Sequence, residues 1–321
     1  MSGPGTVLLV PAAAEVDRVR AAAGTRPVHP VAGFGEEAVR AAGVNPADVG
    51  AVLGASPGDD LSGLPALDWV HSGAAGVDGW LAPDRLPDNV RLTCAVGNGA
   101  VPLAEHALML MLMLSRQAPR WFAAQQRHVW DRYSHGELAG ARLGIIGYGN
   151  SGQDLAHKAQ ACHMSVQALR RATGRDEGPD DVDVLTGSDG LEQLLATSDH
   201  VVVTAPLTPL TTDMIGAREL ALMAPTAFLI VISRGGIVSE APLIEALRSG
   251  AIAGAGLDAH ATEPLPASSP LWDLENVIVT PHNGATTAAT AARGTQIMLD
   301  NVARWVRDKE LRNVVDRARG Y

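Results

Sequence analysis

Leu143-Gly144-Ile145-Ile146-Gly147-Tyr148-Gly149-Asn150-Ser151-Gly152 is the stretch whose reading decides the fold. An apolar strand runs directly into G-x-G-x-x-G, and a helix-like stretch continues to about Ala161. The glycine pattern alone is weak in a chain with 34 glycines; the strand before it and the helix after it make it a dinucleotide-binding fingerprint. Gly147 would allow the tight turn, Gly149 the close approach of backbone to pyrophosphate, and Gly152 the packing of helix on strand. The helix N-terminus would then present N–H groups and a partial positive charge to phosphate. The alternative is a tight strand-to-helix turn that holds no ligand.

About 20 residues on, an NAD site places an acidic residue at the end of the next strand. Here Ser165 to Leu169 ends in Arg170-Arg171. A carboxylate would repel a 2′-phosphate, whereas guanidinium groups pair with it bidentately. NADP(H) is therefore the expected cofactor, with NAD(H) possible; two solvated arginines at a strand end are the bland alternative.

Outward from this unit, apolar runs alternate with helix-like segments along the whole chain. Strands are expected at Thr6 to Val10, Gly50 to Leu53, Asp68 to His71, Arg142 to Ile146, His200 to Thr204, Phe228 to Ser233, Ala253 to Leu257 and Val277 to Thr280. Ala-rich amphipathic stretches such as Val16 to Ala23 and Glu36 to Ala42 lie between them. This spacing implies βαβ units and parallel sheets with right-handed crossovers. From Pro102 to about Gln117 a helix is expected with Pro102 and Glu105 near its start. Its run Ala107 to Leu114 is apolar all round, so burial on every side is expected, with Met109, Met111 and Met113 as core rather than a ligand box. Ala289 to Val306 reads as a long helix returning to the N-terminal half. The expected architecture is α/β: two Rossmann-like or flavodoxin-like parallel-sheet domains with a cleft between them. Residues 1–103 with 292–321 form a discontinuous substrate-binding domain, and 104–291 the dinucleotide-binding domain.

Composition bounds the function. At 321 residues, a prior of about 150 per domain suggests two domains. The formal charge of −10 disfavours nucleic-acid binding by general attraction. No apolar run approaches the roughly 20 residues of a membrane span. The first residues lack a secretory signal, and Cys94 and Cys162 suggest neither a metal site nor a disulfide framework. A cytoplasmic protein without a metal is expected. Asp176 to Asp183 is a polar, Asp-rich run.

Three polar positions stand just past expected strand ends, where open α/β sheets hold ligands: Arg234 after Phe228 to Ser233, Glu263 in Asp258-Ala259-His260-Ala261-Thr262-Glu263-Pro264, and His282 in Thr280-Pro281-His282. Singly each reads as a loop residue; together, after a dinucleotide loop, they look like a site.

With these segments in view, the chain resembles the D-isomer-specific 2-hydroxyacid dehydrogenases, most strongly from about Gly140 to Thr287. The resemblance covers the glycine loop, Ala205-Pro206-Leu207-Thr208-Pro209-Leu210-Thr211, Ser233-Arg234-Gly235-Gly236-Ile237-Val238, Gly254-Ala255-Gly256-Leu257-Asp258, Glu263-Pro264-Leu265-Pro266, Pro270-Leu271-Trp272 and Thr280-Pro281-His282. His71-Ser72-Gly73-Ala74-Ala75-Gly76-Val77-Asp78 and Ala104-Glu105-His106 extend it more loosely into the first half.

The resemblance implies reduction of a 2-oxo acid to a D-2-hydroxy acid, of the glyoxylate/hydroxypyruvate or branched-chain type. His282 would be proton donor, Glu263 its carboxylate partner favouring imidazolium, and Arg234 the clamp on the substrate carboxylate. Gly73, Ala74, Ala75 and Gly76 would offer backbone N–H groups to that carboxylate. Cofactor contacts would come from Gly147 to Gly152, Arg170, Arg171, Ala205, Pro206, Thr211, Ser233 and Asp258. A homodimer is implied, through the helix from Pro102 and the segment to about Glu137, and an appended regulatory domain is not. Two departures stand out: His260 where the family has an aromatic or aliphatic residue, and Val231 where Asn is common. The alternatives are phosphite or other small-anion oxidation and, from another class, a dinucleotide-sensing corepressor scaffold. Formate oxidation fits poorly, because that branch carries Gln where Glu263 stands.

Overall fold

A computed structural model describes residues 5–12, 15–83, 85–171 and 182–321. The chain forms two compact units, 1–98 with 287–321, and 99–286. Both divisions fall five residues before the boundaries expected from sequence. Most of the acidic run 176–183 lies outside the described residues.

The first unit opens with β1 (Val7–Pro11), α1 (Val16–Ala23), β2 (Val28–Val31), α2 (Glu36–Ala41), β3 (Val49–Leu53), β4 (Trp69–Ser72) and β5 (Arg91–Cys94). Its strands pair in the order β2-β1-β3-β4-β5, all parallel, the flavodoxin-like arrangement. The three central strands are buried along almost every residue, and Leu8, Leu9, Val52, Leu53, Trp69 and Val70 are fully enclosed. Continuous apolar runs of this kind belong to parallel strands covered on both faces.

The second unit holds α3 (Ala100–Ser115), α4 (Ala118–Gln126), β6 (Arg142–Ile146), α5 (Asn150–Ala161), β7 (Ser165–Leu169), β8 (Val182–Leu185), α6 (Gly187–Thr197), β9 (His200–Val203), α7 (Ala217–Leu220), β10 (Phe228–Val231), α8 (Glu240–Ser249), β11 (Gly254–Leu257) and β12 (Val277–Val279). Its seven strands run β12-β11-β10-β9-β6-β7-β8, again all parallel. The direction of winding reverses between β6 and β9, the place where doubly wound sheets bind their ligands. The chain then returns to the first unit as α9 (Ala288–Trp305), capped by the Thr287 hydroxyl, which accepts from the Thr290 amide at 3.0 Å. Leu299, Val302 and Trp305 pack among Leu8, Val10 and Val19, and Trp305 Nε1 donates to Asp68 at 3.1 Å.

The helix expected from Pro102 departs from its sequence reading. It starts at Ala100, so Glu105 falls beyond its first turn. Met111 is fully buried, but Met109 and Leu112 are about two-fifths exposed. Burial on one side follows from packing on α5, β10 and β11; the rest of the apolar surface stays open.

His71 in the first unit and His200 in the second are buried histidines expected to make the fold acid-sensitive. His71 is enclosed: the Thr93 hydroxyl accepts from Trp69 Nε1 at 2.9 Å and meets His71 Nδ1 at 2.7 Å, while Nε2 is buried and unpartnered among the described residues. Burial pushes the His71 imidazole down to about 4. His200 is likewise lowered by burial to about 4, against the weaker opposing charge of Asp199. Because the folded values lie below the unfolded value of about 6.5, the unfolded chain protonates first as pH falls. The stabilisation is therefore complete above that pH and is lost toward pH 4, by about 3 kcal/mol per histidine. Urea unfolding should show a steep loss of stability between these pH values, and His71→Leu or His200→Leu should flatten it. A wild-type stability independent of pH across the window would refute this.

Candidate active site

The glycine loop leaves β6 at the point of reversed winding. Gly147 sits at φ +100°, a conformation costly for any residue with a β-carbon, and a β-carbon there would lie 2.4 Å from the Ala205 nitrogen. Gly152 packs as closely, since a β-carbon would stand 2.5 Å from the Gly147 carbonyl oxygen. Thr204 closes the turn by donating its hydroxyl to that carbonyl. Gly149 differs: space opens beside it, and it precedes α5 without any side-chain cap. The first N–H groups of a helix have no intrahelical acceptor, so this end is shaped for an anion brought close to the backbone. Asn150 and Ser151 form the first turn of α5, and Tyr148 is buried with its hydroxyl unpartnered among the described residues. Burial raises the Tyr148 phenol, while the nearby Arg170 charge opposes that rise. Arg170 and Arg171 follow β7, the neighbour of β6, and Arg171 is exposed. These features fit a dinucleotide, with the arginines placed at the next strand end.

Ala205 and Pro206 begin the loop after β9. Ala205 N donates to the Ile146 carbonyl at 2.9 Å. The Thr211 hydroxyl donates to the Pro206 carbonyl at 2.7 Å and accepts from the Thr208 amide at 2.8 Å, which fixes the loop's curvature. At the end of β10, Ser233 Oγ is buried without a partner among the described residues, and Arg234 Nη1 donates to the Ser233 carbonyl at 2.8 Å.

Arg234, Glu263 and His282 follow β10, β11 and β12, three consecutive strands of one sheet. Gly235 lies so close to the next loop that a β-carbon would fall 2.0 Å from the His260 carbonyl carbon. Glu263 and His282 meet directly, with His282 Nδ1 at 2.7 Å from Oε2 and 2.9 Å from Oε1. Partial burial of Glu263 disfavours its charge, but hydrogen bonds from the His260 amide and the His282 ring outweigh this and hold its carboxyl below the ordinary value. The carboxylate is thus ionised at neutral pH and accepts an N–H from Nδ1, leaving Nε2 as the other proton-carrying nitrogen.

His282 adopts φ +51°, the left-handed region, at a cost of about 1–2 kcal/mol for a residue with a β-carbon. Asp258 holds it there. Its side chain is fully enclosed, and its oxygens accept from Thr280 Oγ1 at 2.7 Å, the Asn283 amide at 3.0 Å and the Gly284 amide at 2.9 Å. His106 of α3 stands behind, 3.0 Å from Thr280 Oγ1 and 3.5 Å from Asp258 Oδ1. Asp258, expected from the resemblance to contact cofactor, is placed with its carboxylate accepting from these three donors, which support the His282 turn. His106 and Thr280 were given no role from sequence, although a lone imidazole in an otherwise apolar helix was the available signal.

Gly73, Ala74, Ala75 and Gly76 belong to the first unit, where they follow β4. The first three are exposed, and Gly73 has open space where a side chain would stand. The loop is anchored by Ala74 N to Ser72 Oγ at 3.3 Å and by Ala95 N to the Ala74 carbonyl at 3.1 Å.

Comparison with known proteins places this geometry. Residues 108–284 match the family described as D-isomer specific 2-hydroxyacid dehydrogenase, NAD binding domain. A glycerate dehydrogenase of Methylorubrum extorquens is 34% identical over 268 residues, spanning 80% of this chain and 82% of its own. A D-isomer specific 2-hydroxyacid dehydrogenase from Xanthobacter autotrophicus, solved with NADPH and MES, superposes with a TM-score of 0.83 at 32% identity, over 99% of this chain and 100% of its own. An NADPH-dependent glyoxylate/hydroxypyruvate reductase from Sinorhizobium meliloti, solved with NADP and sulfate, gives 0.78 at 30% identity, over 98% and 100%. The alignment also spans 41% of the length of a D-3-phosphoglycerate dehydrogenase from Methanocaldococcus jannaschii, which is 34% identical over 68% of this chain. With its dinucleotide loop at the point of reversed winding and its Arg, Glu and His on three successive strand ends, the chain belongs to the D-isomer-specific 2-hydroxyacid dehydrogenase family.

Proposed function

We propose that this protein reduces a 2-oxo acid with NADPH to the 2-hydroxy acid, of D configuration wherever the product is chiral, with glyoxylate and hydroxypyruvate as leading substrates. The observation that carries the reading is the 2.7 Å contact between His282 Nδ1 and an ionised Glu263, on a strand end beside that of Arg234. When bound, the reduced cofactor supplies a hydride to the carbon of the substrate's 2-oxo group. His282 in its imidazolium form gives the Nε2 proton to the carbonyl oxygen, and the ring is left neutral with Nδ1–H still on Glu263. In the reverse direction the neutral ring takes the hydroxyl proton. Arg234 pairs with the substrate carboxylate and fixes which face of the 2-oxo group is presented. The first unit's loop from Gly73 to Gly76, with its exposed backbone, offers N–H groups suited to a substrate carboxylate. Turnover by the S. meliloti neighbour of the substrates in its name supports this choice of acid.

Arg170 and Arg171 set the preference for NADP(H) by pairing with the 2′-phosphate. Two solved neighbours hold NADPH or NADP. Fluorescence titration should show tighter binding of NADPH than NADH, and Arg170→Ala with Arg171→Ala should remove about 2–4 kcal/mol from NADPH binding, two charge-assisted contacts, while leaving NADH nearly unchanged. Equal affinities in the wild-type protein would sink the assignment.

A second copy of the chain is the proposed macromolecular partner. Met109, Leu112, Trp121 and Phe122 on α3 and α4 are exposed, and Trp130, just beyond, is 94% exposed. Large exposed apolar side chains along two successive helices support an interface here, and light scattering should return the mass of a dimer. No helix among the described residues is long and apolar enough to cross a membrane; a cytoplasmic location belongs to the same proposal.

A further inference from the structure

One side chain beside the Glu263–His282 pair has no part in the mechanism above. His260 is buried, 8% exposed, in the loop that follows β11. Its backbone N–H donates to Glu263 Oε1 at 2.9 Å, the same oxygen that lies 2.9 Å from His282 Nδ1. Its ring reaches the other way: Nε2 is 3.0 Å from the carbonyl oxygen of Thr280, two residues before His282. A carbonyl can only accept, so Nε2 carries a hydrogen and donates it. Nδ1 is buried with no partner among the described residues. The close approach of Gly235 to the His260 carbonyl holds the backbone from the β10 side.

The geometry points to His260 as a positioning residue that sets the register of Glu263 against His282, tying the loop that carries the carboxylate to the strand end that carries the imidazole. The inference rests on the proposed role of that pair. Glu263 and His282 are each more than a third exposed, and a pair so exposed orders its partners weakly, because water and side-chain entropy compete with it. The His260 contacts are more enclosed, and the one to Thr280 joins two backbone segments rather than two mobile side-chain ends. A ring of similar size without a donor, the kind of residue the family resemblance implies here, fills the space but leaves the Thr280 carbonyl without this bond. The Asp258 bonds still hold the start of the β11 loop to the β12 loop, but among the described residues the stretch that carries Glu263 is then tied to it by the exposed pair alone. The ionisable groups facing the pair are His260 on the β11 loop and, behind the β12 loop, Asp258 and His106.

The test compares His260→Phe, His260→Ala and His260→Gln with the wild-type enzyme in NADPH-dependent reduction of glyoxylate, across pH and with NADPH affinity read by fluorescence. Small misplacements of catalytic groups cost rate far more than binding. His260→Phe and His260→Ala are therefore expected to lose about tenfold in kcat with both KM values within about twofold. Their pH–rate profiles should also differ from that of the wild-type enzyme, because the carboxylate beside the proposed proton donor is less fixed in place. His260→Gln, which keeps an N–H donor of similar reach, should recover most of the rate and the wild-type profile. Wild-type kcat and profile in the phenylalanine and alanine variants would overturn the inference, as would a glutamine variant no better than phenylalanine. If His260→Phe does not fold, the alanine and glutamine variants carry the same comparison. His282→Ala, assayed in parallel, separates the two levels. A fully active His282→Ala refutes the role of the pair, and the inference with it; an inactive His282→Ala beside an unaffected His260→Phe refutes the positioning role alone.

Discussion

His282→Ala is expected to lower kcat for 2-oxo acid reduction by about 10²- to 10⁴-fold, the range for loss of a positioned proton donor. The affinity for NADP(H) should stay within about twofold, because the dinucleotide loop lies at the β6 strand end and His282 follows β12 at the sheet's far edge. The effect is large because no other side chain observed at this strand end duplicates the role. Glu263 is an ionised acceptor, Asp258 is enclosed with its oxygens occupied, and the Nε2–H of His260 is committed to the Thr280 carbonyl. Steady-state kinetics with a fluorescence titration of the cofactor make the check. A variant turning over at near-normal rate would show that the proton comes from elsewhere.

Asp258→Ala should damage both stability and activity. The buried Gly284 amide and the less enclosed Thr280 Oγ1 and Asn283 amide lose an acceptor that is itself fully enclosed. A buried donor left unsatisfied costs about 1–3 kcal/mol, so with a smaller cost for the two part-buried donors the expected total is about 2–4 kcal/mol. The His282 turn, held at φ +51° by the same carboxylate, loosens, so kcat falls beyond what destabilisation explains. Asp258→Asn keeps one acceptor oxygen but turns an NH₂ toward donors, and should lie between alanine and wild type. Thermal melting with kinetics at a temperature where all variants remain folded separates the two effects. A melting temperature unchanged in Asp258→Ala would contradict the hydrogen-bond account.

What the sequence disclosed, and what it hid, follows physical lines. The central strands β1, β3, β4, β6, β9, β10 and β11 are covered on both faces and read as apolar runs, so each was legible. The three strands that went unnoticed, β2, β5 and β8, are all sheet edges. One side of an edge strand has no pairing partner, and these carry His29 and Pro30, Arg91 and Thr93, or Asp183, which break the apolar signal. Arg234, Glu263 and His282, the residues proposed to react, were legible because each follows a recognisable strand and lies in a family segment. Their scaffolding was not: the links from Asp258 to Thr280, Asn283 and Gly284, and from His106 across to Thr280, join positions 22 to 174 residues apart. Such pairings depend on register between strands and leave no local pattern. The face of α3 that stays exposed was hidden for a related reason, since an all-apolar helix does not say which of its sides a partner will cover.

The most direct measurement is NADPH consumption by the wild-type protein with glyoxylate, hydroxypyruvate, pyruvate and longer 2-oxo acids, beside phosphite with NADP⁺ as the oxidative alternative. Saturable NADPH oxidation with at least one 2-oxo acid, yielding the 2-hydroxy acid and, from hydroxypyruvate, pyruvate or longer acids, its D enantiomer, is the predicted result. No turnover with any 2-oxo acid, or turnover of phosphite alone, would contradict it.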